Sequence, residues 1–325
     1  MLTIIFFGKA GLPPELYSMQ TILGAGGAIG QLLAKELATY TTDIRLVSRN
    51  PRKVNAGDEL VTADLTVSGE VDRAVEDSEV VYLTAGVPYS TEVWKKQWPV
   101  IMEYVIAACV RHRCRLVFFD NLYSYDGSDL SDIRETNPVN PPSQKGKVRA
   151  AVVAMIWEAV KNRGLVALVA RSADFYGPEI KGASMLTETV INPLKDGKTA
   201  NWMVGGSFRH SFTFTPDAAK ATALLGNTSD AYGQTWHLPT AANPLTGKEW
   251  IERIAAELGV KPRYRIVSRL MIRVLGLFIP VLRESYEMLY QYDRDYVFNS
   301  EKFEKRFDVH PTPYLEGIRQ VLRAK

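Results

Sequence analysis

The chain has 325 residues, of which 46% are hydrophobic and 23% are charged, a balance typical of a globular protein with a sizeable buried core. The net charge of +3 comes from cations that look scattered among carboxylates, so it argues against a nucleic-acid partner, and a basic cofactor pocket explains it more simply. The two cysteines exclude a disulfide framework, and the four histidines have no zinc-type spacing. We therefore expect a reduced, cytoplasmic protein without a metal.

Two apolar stretches bear on a membrane partner. Residues 1–18 make a poor signal peptide, and we expect an N-terminal extension that is packed loosely or is non-native, with an extra strand as the alternative. The longest apolar run, Leu270 to Leu282, is too short to span a bilayer and is interrupted by Arg273. It predicts a buried helix or a pocket wall, and we expect no membrane partner.

From Met19 onward, short β-rich runs alternate with amphipathic helical runs. This rhythm predicts an α/β fold, with a doubly wound parallel Rossmann sheet of about seven strands over residues 19–178. Residues 179–325 are expected to form a smaller, mostly helical substrate-binding region, with about 205–240 returning to the Rossmann domain. Within that region, residues 201–226 predict a short strand pair and then a helix. Residues 246–259 predict a helix that Thr246 caps and Gly259 ends.

The strongest local signal is a glycine-rich turn between the first strand and the first helix. Glycines in a G-x-x-G-x-x-G spacing avoid the Cβ atoms that would block a tight turn and the approach of a pyrophosphate. The free N–H groups at the helix start then bind that anion. The residues assigned to the cofactor here are Gly24, Gly26, Gly27, Ala28, Ile29 and Gly30.

The end of the second strand indicates which dinucleotide binds. An NAD site places a carboxylate about 20 residues after the glycines to hold the ribose 2′-hydroxyl. This chain has Ser48 and Arg49 there, and a guanidinium pairs with a 2′-phosphate. The sequence therefore favours NADP(H), with NAD(H) as the alternative if Arg49 is only a solvated surface charge.

The chain resembles the extended short-chain dehydrogenase/reductases, in their NAD-dependent epimerase/dehydratase-like branch. The stretches that carry the resemblance are GAGGAIG, then ADL, then LTAG, then RSADFYGP, and it extends from about Met19 to the C-terminus. It implies that Asp64 and Leu65 border the adenine. It also implies that Thr84, Ala85 and Gly86 follow the ribose and phosphates, and that Tyr176 lines the nicotinamide. A small-molecule substrate and a monomer or homodimer are further expectations.

The family's catalytic set is a Ser or Thr, a Tyr and a Lys, and this chain departs from it. By the resemblance, Asn121 takes the place of the Ser or Thr, Ser143 replaces the Tyr, and Lys147 matches the Lys. Ser143 and Lys147 are an i, i+4 pair, which we expect to face the same way, and the resemblance implies that Lys147 holds the nicotinamide ribose. Lys145, two residues earlier, is expected to point away from that face. His210 is expected at the surface, and the segment from Glu284 to Tyr290 on a buried helical face.

A Ser hydroxyl is a poor proton donor at neutral pH, and three interpretations remain open. The acid has moved to Tyr123, or to Tyr125 or Tyr176; the substrate or a Ser143–water relay supplies the proton; or the site binds the dinucleotide without turnover. The chain is therefore expected to be an NAD(P)(H)-binding oxidoreductase or epimerase/dehydratase-like enzyme for a small carbonyl or sugar-type substrate. The alternative is a non-catalytic NADP(H)-sensing regulatory protein. Loss of the Tyr harms an epimerase more than a reductase, because an epimerase needs it in both half-reactions.

Overall fold

The computed structural model describes residues 19–178, 180 and 182–324; the predicted extension at residues 1–18 lies outside the described residues. The strands are β1 (Met19–Leu23), β2 (Ile44–Ser48), β3 (Glu59–Thr62), β4 (Ser78–Leu83), β5 (Arg115–Asp120), β6 (Val166–Arg171), β7 (Asp174–Tyr176), β8 (Ala200–Met203), β9 (Phe212–Phe214), β10 (Thr235–His237) and β11 (Tyr264–Val267). Seven of them form one parallel sheet in the order β10-β6-β5-β4-β1-β2-β3. The predicted α/β fold with a doubly wound sheet is confirmed.

The helices connect these strands and cover the sheet. They are α1 (Ala28–Leu37), α2 (Ser68–Val75), α3 (Thr91–His112), α4 (Gln144–Asn162), α5 (Asn192–Lys195), α6 (Thr215–Gly226), α7 (Gly247–Leu258), α8 (Arg269–Leu275), α9 (Pro280–Ser285), α10 (Glu301–Phe307) and α11 (Tyr314–Arg323). A π-helical turn precedes α5 at Thr187–Ile191, and 3₁₀ turns occupy Ser229–Ala231 and Tyr286–Gln291.

Each face of the sheet has its own apolar core. Helices α2, α3 and α4 pack on one face, and α1 packs with α6 on the other. Strand β10 lies beside β6 at the edge of the sheet, although both α6 and β10 belong to the second half of the chain. A third core joins β8 and β9 to α7 and α11, and it makes the C-terminal region continuous with the sheet.

The predicted strand pair within residues 201–226 is only partly right. Strands β8 and β9 are present, but they do not pair with each other: β8 pairs with β11 and β9 pairs with β7, both in parallel. The helix predicted from Thr246 is α7, with a complete capping box between Thr246 and Glu249, and it ends at Gly259 with φ of 67°.

The apolar run from Leu270 to Leu282 is not the buried helix or pocket wall that its composition predicted. It forms α8, a turn and the first half of α9, and Leu277 and Phe278 at the turn are 74% and 80% exposed. Apolar composition by itself does not distinguish a side chain that packs inward from one that faces outward. Within the described part of the chain, no helix is long and apolar enough to cross a membrane.

His237 at the end of β10 gives the fold a pH dependence. Its Nδ1–H donates to the carbonyl of Asn299 at 2.8 Å, so its Nε2 accepts from the Tyr125 hydroxyl at 2.8 Å. Complete burial lowers the pKa of His237 to about 3. An unfolded chain binds the proton near pH 6.5, so protonation favours the unfolded state.

We therefore predict that the free energy of unfolding falls as the pH drops below about 6.5, with His237 contributing a slope of up to about 1.4 kcal/mol per pH unit. Denaturant titrations from pH 8 down to pH 4 measure this, because the loss begins near pH 6.5 and continues as the pH falls toward the folded-state pKa of about 3. His237→Gln should remove that part of the slope, and His310→Gln, at an exposed position, should retain it. Equal slopes for wild type and His237→Gln would contradict the assignment.

Candidate cofactor and substrate site

The turn between β1 and α1 cannot accommodate side chains at two of its glycines. Gly24 has φ of +97°, and a Cβ atom there would lie 2.3 Å from the Cα of Ala85. A Cβ atom on Gly30 would lie 2.7 Å from the carbonyl oxygen of Gly24. Gly24 thus allows the turn against the end of β4, and Gly30 allows α1 to pack closely on β1.

The start of α1 is open to an anion. Gly27 is the N-cap residue and offers no side-chain bond, and the first turn of the helix has no acidic residue. Gly26 and Gly27 are exposed, while Ile29 and Gly30 are buried beneath them. The first N–H groups of a helix have no intrahelical acceptor, so this end presents donors and a positive dipole to a phosphate. These residues fit the pyrophosphate of a nicotinamide dinucleotide.

Polar groups surround this turn on the β2 side. Ser48 lies beside Gly26, and its Oγ accepts the Asn50 N–H at 3.3 Å. Arg49 is exposed. The backbone N–H and hydroxyl of Thr66, and more weakly the charge of Arg49, lower the pKa of Asp64. Strand β2 thus ends in a hydroxyl and a guanidinium, and the carboxylate of Asp64 follows β3.

The end of β4 completes the cofactor edge of the sheet. The N–H of Thr84 donates to the carbonyl of Leu23 at 2.9 Å, which holds this loop against β1. Ala85 packs on Gly24, and Gly86 is exposed with no atom near its Cβ position. Leu65, which follows β3, packs against the same apolar core as Ala85. The structure therefore brings together the residues that the sequence assigned to the phosphates and adenine.

Tyr176 is the exception among the predicted cofactor residues. It is 0% exposed and packs against Phe214, Trp250 and Tyr314 in the third core. Its hydroxyl fills the space where a Cβ on Gly317 would be, and burial raises its pKa well above the usual value. Tyr176 is a core residue here, so it neither lines an open nicotinamide site nor replaces the missing acid.

The predicted catalytic pair on α4 does not face the sheet. Ser143 is the N-cap of α4, and its Oγ accepts the Gly146 N–H at 3.0 Å. Lys147 lies on the exposed side of the helix. Ser143 therefore satisfies a free donor at the helix start, and the side chain of Lys147 is exposed and makes no hydrogen bond to a described residue.

The inward-facing i, i+4 pair starts two residues later, at Lys145. The ammonium of Lys145 is 0% exposed and donates to Thr91 Oγ1 at 2.8 Å, to Glu284 Oε2 at 2.7 Å and to Glu287 Oε1 at 3.1 Å, and also lies 2.9 Å from the Glu284 carbonyl. It also lies 4.7 Å from the centre of the Tyr89 ring. As predicted, Lys145 points off the face that carries Lys147, but the Lys145 face of α4 is the buried one and Lys147 is exposed.

Arg149 is the second member of that pair and belongs to a buried charge cluster at the end of β5. Its Nε donates to Asp120 Oδ1 at 2.7 Å, and Arg171 Nε donates to the other oxygen at 3.0 Å. The guanidinium of Arg149 lies 4.3 Å from the ring centre of Trp98. One carboxylate thus bridges two cations, which fixes α4 and β6 relative to the residue that precedes Asn121.

Asn121 and Tyr123 follow this cluster directly. Asn121 Oδ1 accepts the Tyr123 N–H at 3.0 Å, and among the described residues no acceptor binds its amide nitrogen. The Tyr123 ring stacks on Trp94 at 6.1 Å. Burial, and then the charges of Tyr89 and Asp174, raise the pKa of Tyr123 well above its usual value. Tyr125 turns away from this group toward His237, so Tyr123 is the tyrosine of this loop that remains beside Asn121.

His210 belongs to a polar group at the substrate end, contrary to its predicted surface position. It is 2% exposed, and its Nε2 lies 2.9 Å from Asp174 Oδ2, which also accepts the Tyr292 hydroxyl at 3.1 Å. The imidazole stacks between Tyr292 and Tyr296, with ring centres at 4.4 and 4.5 Å. The charge of Asp174 contributes to the raised pKa of Tyr123 and Tyr292, so these groups form one electrostatic cluster.

Sequence reasoning missed Lys145, Glu284 and Glu287, although one signal pointed to the first. The buried stripe of α4 contains Val152, Ile156 and Ala159. Extending that stripe toward the N-terminus by helical steps gives Arg149 and then Lys145, whereas Lys147 lies off it. The two glutamates gave no comparable signal, because their contact with Lys145 joins segments 139 and 142 residues apart.

Comparison with known proteins identifies the family and the fold. The model of the NAD dependent epimerase/dehydratase family matches residues 21–237. No curated protein matches the chain by sequence.

Similar solved structures include the NAD complex of UDP-glucose 4-epimerase from Thermus thermophilus. It has 16% identity, covers 94% of this chain and 97% of that chain, and has a TM-score of 0.76. DesIV, a dTDP-glucose 4,6-dehydratase from Streptomyces venezuelae with NAD and TYD bound, has 16% identity, 94% and 96% coverage, and a TM-score of 0.74. At this identity the likeness shows the fold alone, whereas the family model covers most of the chain. The chain therefore belongs to the NAD dependent epimerase/dehydratase family.

Proposed function

We propose that the protein is an NADP(H)-dependent reductase that acts on a carbonyl group of a sugar-type substrate. The observation that carries the proposal is the open N-terminus of α1 behind a glycine turn that excludes side chains. A nicotinamide dinucleotide bound there supplies or accepts a hydride. The sugar-type substrate rests on the similar structures, which are named for UDP-glucose and dTDP-glucose enzymes and align with 94% of this chain, including its C-terminal region.

The preference for NADP(H) is the finer part of this proposal. The similar structures above contain NAD by their descriptions, but this chain ends β2 with Ser48 and Arg49. The carboxylate of Asp64 follows β3 and not β2, and its Oδ1 accepts two bonds from Thr66, so it is a weaker candidate to hold a ribose 2′-hydroxyl. An exposed guanidinium beside the turn is free to pair with a 2′-phosphate in bidentate fashion.

We predict that wild type binds NADPH at least about ten-fold more tightly than NADH, since a charge-assisted bidentate pair contributes on the order of 1.5–3 kcal/mol. Arg49→Ala should remove most of this preference, and Ser48→Asp should reverse it by repelling the 2′-phosphate. Fluorescence titration with both nucleotides measures the ratio. The control Lys161→Ala removes an exposed cation at the far end of α4 and should keep the wild-type ratio. Equal affinities in wild type would refute the preference.

Tyr123 is the proton donor that the geometry favours. Its backbone N–H donates to Asn121 Oδ1. Its side chain also contacts Tyr89, whose ring lies 4.7 Å from the buried ammonium of Lys145. The raised pKa keeps Tyr123 protonated at neutral pH, so it can donate to a carbonyl oxygen that becomes an alkoxide, a stronger base than a phenolate, although it is a weaker acid than a phenol tuned toward neutrality. It is poorly suited to accept a proton from an alcohol. This direction favours reduction over epimerisation, which must begin with an oxidation.

We predict that Tyr123→Phe lowers kcat by about 10²-fold or more, the usual loss for a positioned general acid. Ser143→Ala should keep turnover while lowering the free energy of unfolding by about 1 kcal/mol, because Ser143 acts as a helix cap. Consumption of NADPH with a panel of sugar nucleotides and small ketones measures the first, and denaturant titration measures the second. Loss of turnover in Ser143→Ala with unchanged stability would show that Ser143, and not Tyr123, is in the reaction.

Lys145 is a positioning residue in this proposal. Its ammonium has three protons, and side-chain oxygens of Thr91, Glu284 and Glu287 engage them. Removing it would leave two partly buried carboxylates without their cation, and breaking such a pair is strongly destabilising. The network holds the end of α9 and the turn after it against the start of α4, and so it shapes the wall of the site.

We predict that Lys145→Met lowers the free energy of unfolding by about 3 kcal/mol. Lys147→Met, two residues later on the exposed side of the same helix, should change it by less than about 0.5 kcal/mol. Urea titration of both variants measures the difference. A larger loss for Lys147→Met would mean that α4 has the rotation inferred from the sequence, with Lys147 facing inward.

A non-catalytic NADP(H) sensor is the second candidate, and one observation favours it. At the start of α4, where the family has its acid, Ser143 is a helix cap. The nearby ammonium of Lys145 already binds side-chain oxygens of Thr91, Glu284 and Glu287. Tight NADPH binding without consumption by any member of the panel would support the sensor and end the enzyme proposal. Turnover that depends on Tyr123 would end the sensor proposal.

A further inference from the structure

One segment of this protein carries more positive charge than the net excess of the whole chain. The chain has 39 Lys and Arg residues against 36 Asp and Glu. Residues 261–283 contain six of those cations and no carboxylate: Lys261, Arg263, Arg265, Arg269, Arg273 and Arg283. The rest of the chain therefore has 33 cations against 36 carboxylates, so the excess is not scattered as the sequence analysis assumed.

The same segment carries an exposed apolar surface, which we name the α8–α9 tip. Its exposed members are Leu270, Met271, Val274, Leu275, Leu277, Phe278, Ile279 and Val281. Only Ile272 of α8 is buried, and none of α9 is. Single exposed apolar residues are ordinary, but a contiguous exposed group of this size is typical of a surface that binds a membrane or another molecule.

The cations around the α8–α9 tip are only partly neutralised. Arg269 pairs with Asp293, which Arg294 also binds. Arg273 and Arg283, one on each helix of the tip, form no ion pair with any described residue. The carboxylates that follow the tip, Glu284 and Glu287, are turned inward to Lys145. The exposed apolar group is thus bordered by uncompensated positive charge.

Exposed apolar side chains beside unpaired arginines favour one kind of binding partner over others. A second copy of the chain seated on the same face would bring like charges together, since a two-fold contact places a surface against itself. An anionic lipid bilayer offers both complements: a hydrophobic interior for Leu277 and Phe278 at the turn, and phosphate groups for the arginines. We propose that the α8–α9 tip docks the protein peripherally on anionic membranes.

The proposed contact is interfacial and differs from a span. Helices α8 and α9 have seven and six residues, so each is roughly 9–11 Å long at 1.5 Å per residue and cannot cross a bilayer. No membrane partner was predicted from the sequence, because the longest apolar run is too short to span a bilayer, and an interfacial contact needs no such run. The tip leads directly into the glutamates that bind Lys145, so docking would place the wall of the proposed site at the lipid surface.

Vesicle flotation of the full-length protein tests this proposal. Wild type should float with vesicles of phosphatidylcholine and phosphatidylglycerol, much less with phosphatidylcholine alone, and less at high salt. Leu277→Ser/Phe278→Ser should reduce the partition coefficient about ten-fold or more, because two large apolar side chains no longer enter the bilayer. Arg273→Gln/Arg283→Gln should reduce it about ten-fold on the anionic vesicles alone.

Matched variants keep the test specific. Val139→Ser/Val166→Ser removes exposed apolar side chains elsewhere, and Lys161→Gln/Lys195→Gln removes the same charge elsewhere; both pairs should float like wild type. Absence of wild-type flotation, or equal losses in the control pairs, would overturn the proposal. A wild-type dimer that Leu277→Ser/Phe278→Ser converts to a monomer, without lipid binding, would show instead that the tip is a self-association surface.

Discussion

The direction of the central sheet is the constraint on which the site depends. All seven strands are parallel, so their carboxyl ends lie at one edge, and the chain order reverses at β1, between β2 and β4. The loops after β1, β2 and β4 therefore meet around the start of α1. The loop after β5 and the start of α4 complete the same edge. Each residue assigned to the cofactor or to proton transfer lies at a strand end or a helix start for this reason.

The buried ammonium of Lys145 is the second element that organises the molecule. It joins Thr91 at the start of α3 to Glu284 and Glu287, which lie in the C-terminal region. A fully buried cation is costly unless its partners are in place, so the C-terminal region is held against the Rossmann sheet by a charge requirement as well as by apolar packing. The α8–α9 tip owes its position to the same network, because α9 leads into it.

The sequence predicted the sheet and the glycine turn well because strand periodicity and glycine spacing are local signals. It could not choose between Ser143/Lys147 and Lys145/Arg149 because both pairs satisfy the same spacing, and only packing buries Lys145 and Arg149 while it leaves Lys147 exposed. Tyr176 was misplaced because a strand-end position does not reveal which core its side chain enters. The α8–α9 run was misjudged because composition records apolar content and not what covers it. The Lys145 partners were invisible because the contact is distant in sequence.

The most direct test of this account is a crystal structure of the full-length protein with NADPH. We expect the pyrophosphate on the first N–H groups of α1, the 2′-phosphate in contact with Arg49, and the Tyr123 hydroxyl as the proton donor nearest to the nicotinamide C4. A nicotinamide that instead lies beside Ser143, with Lys147 turned inward onto its ribose, would contradict the account. So would a dinucleotide bound away from the glycine turn.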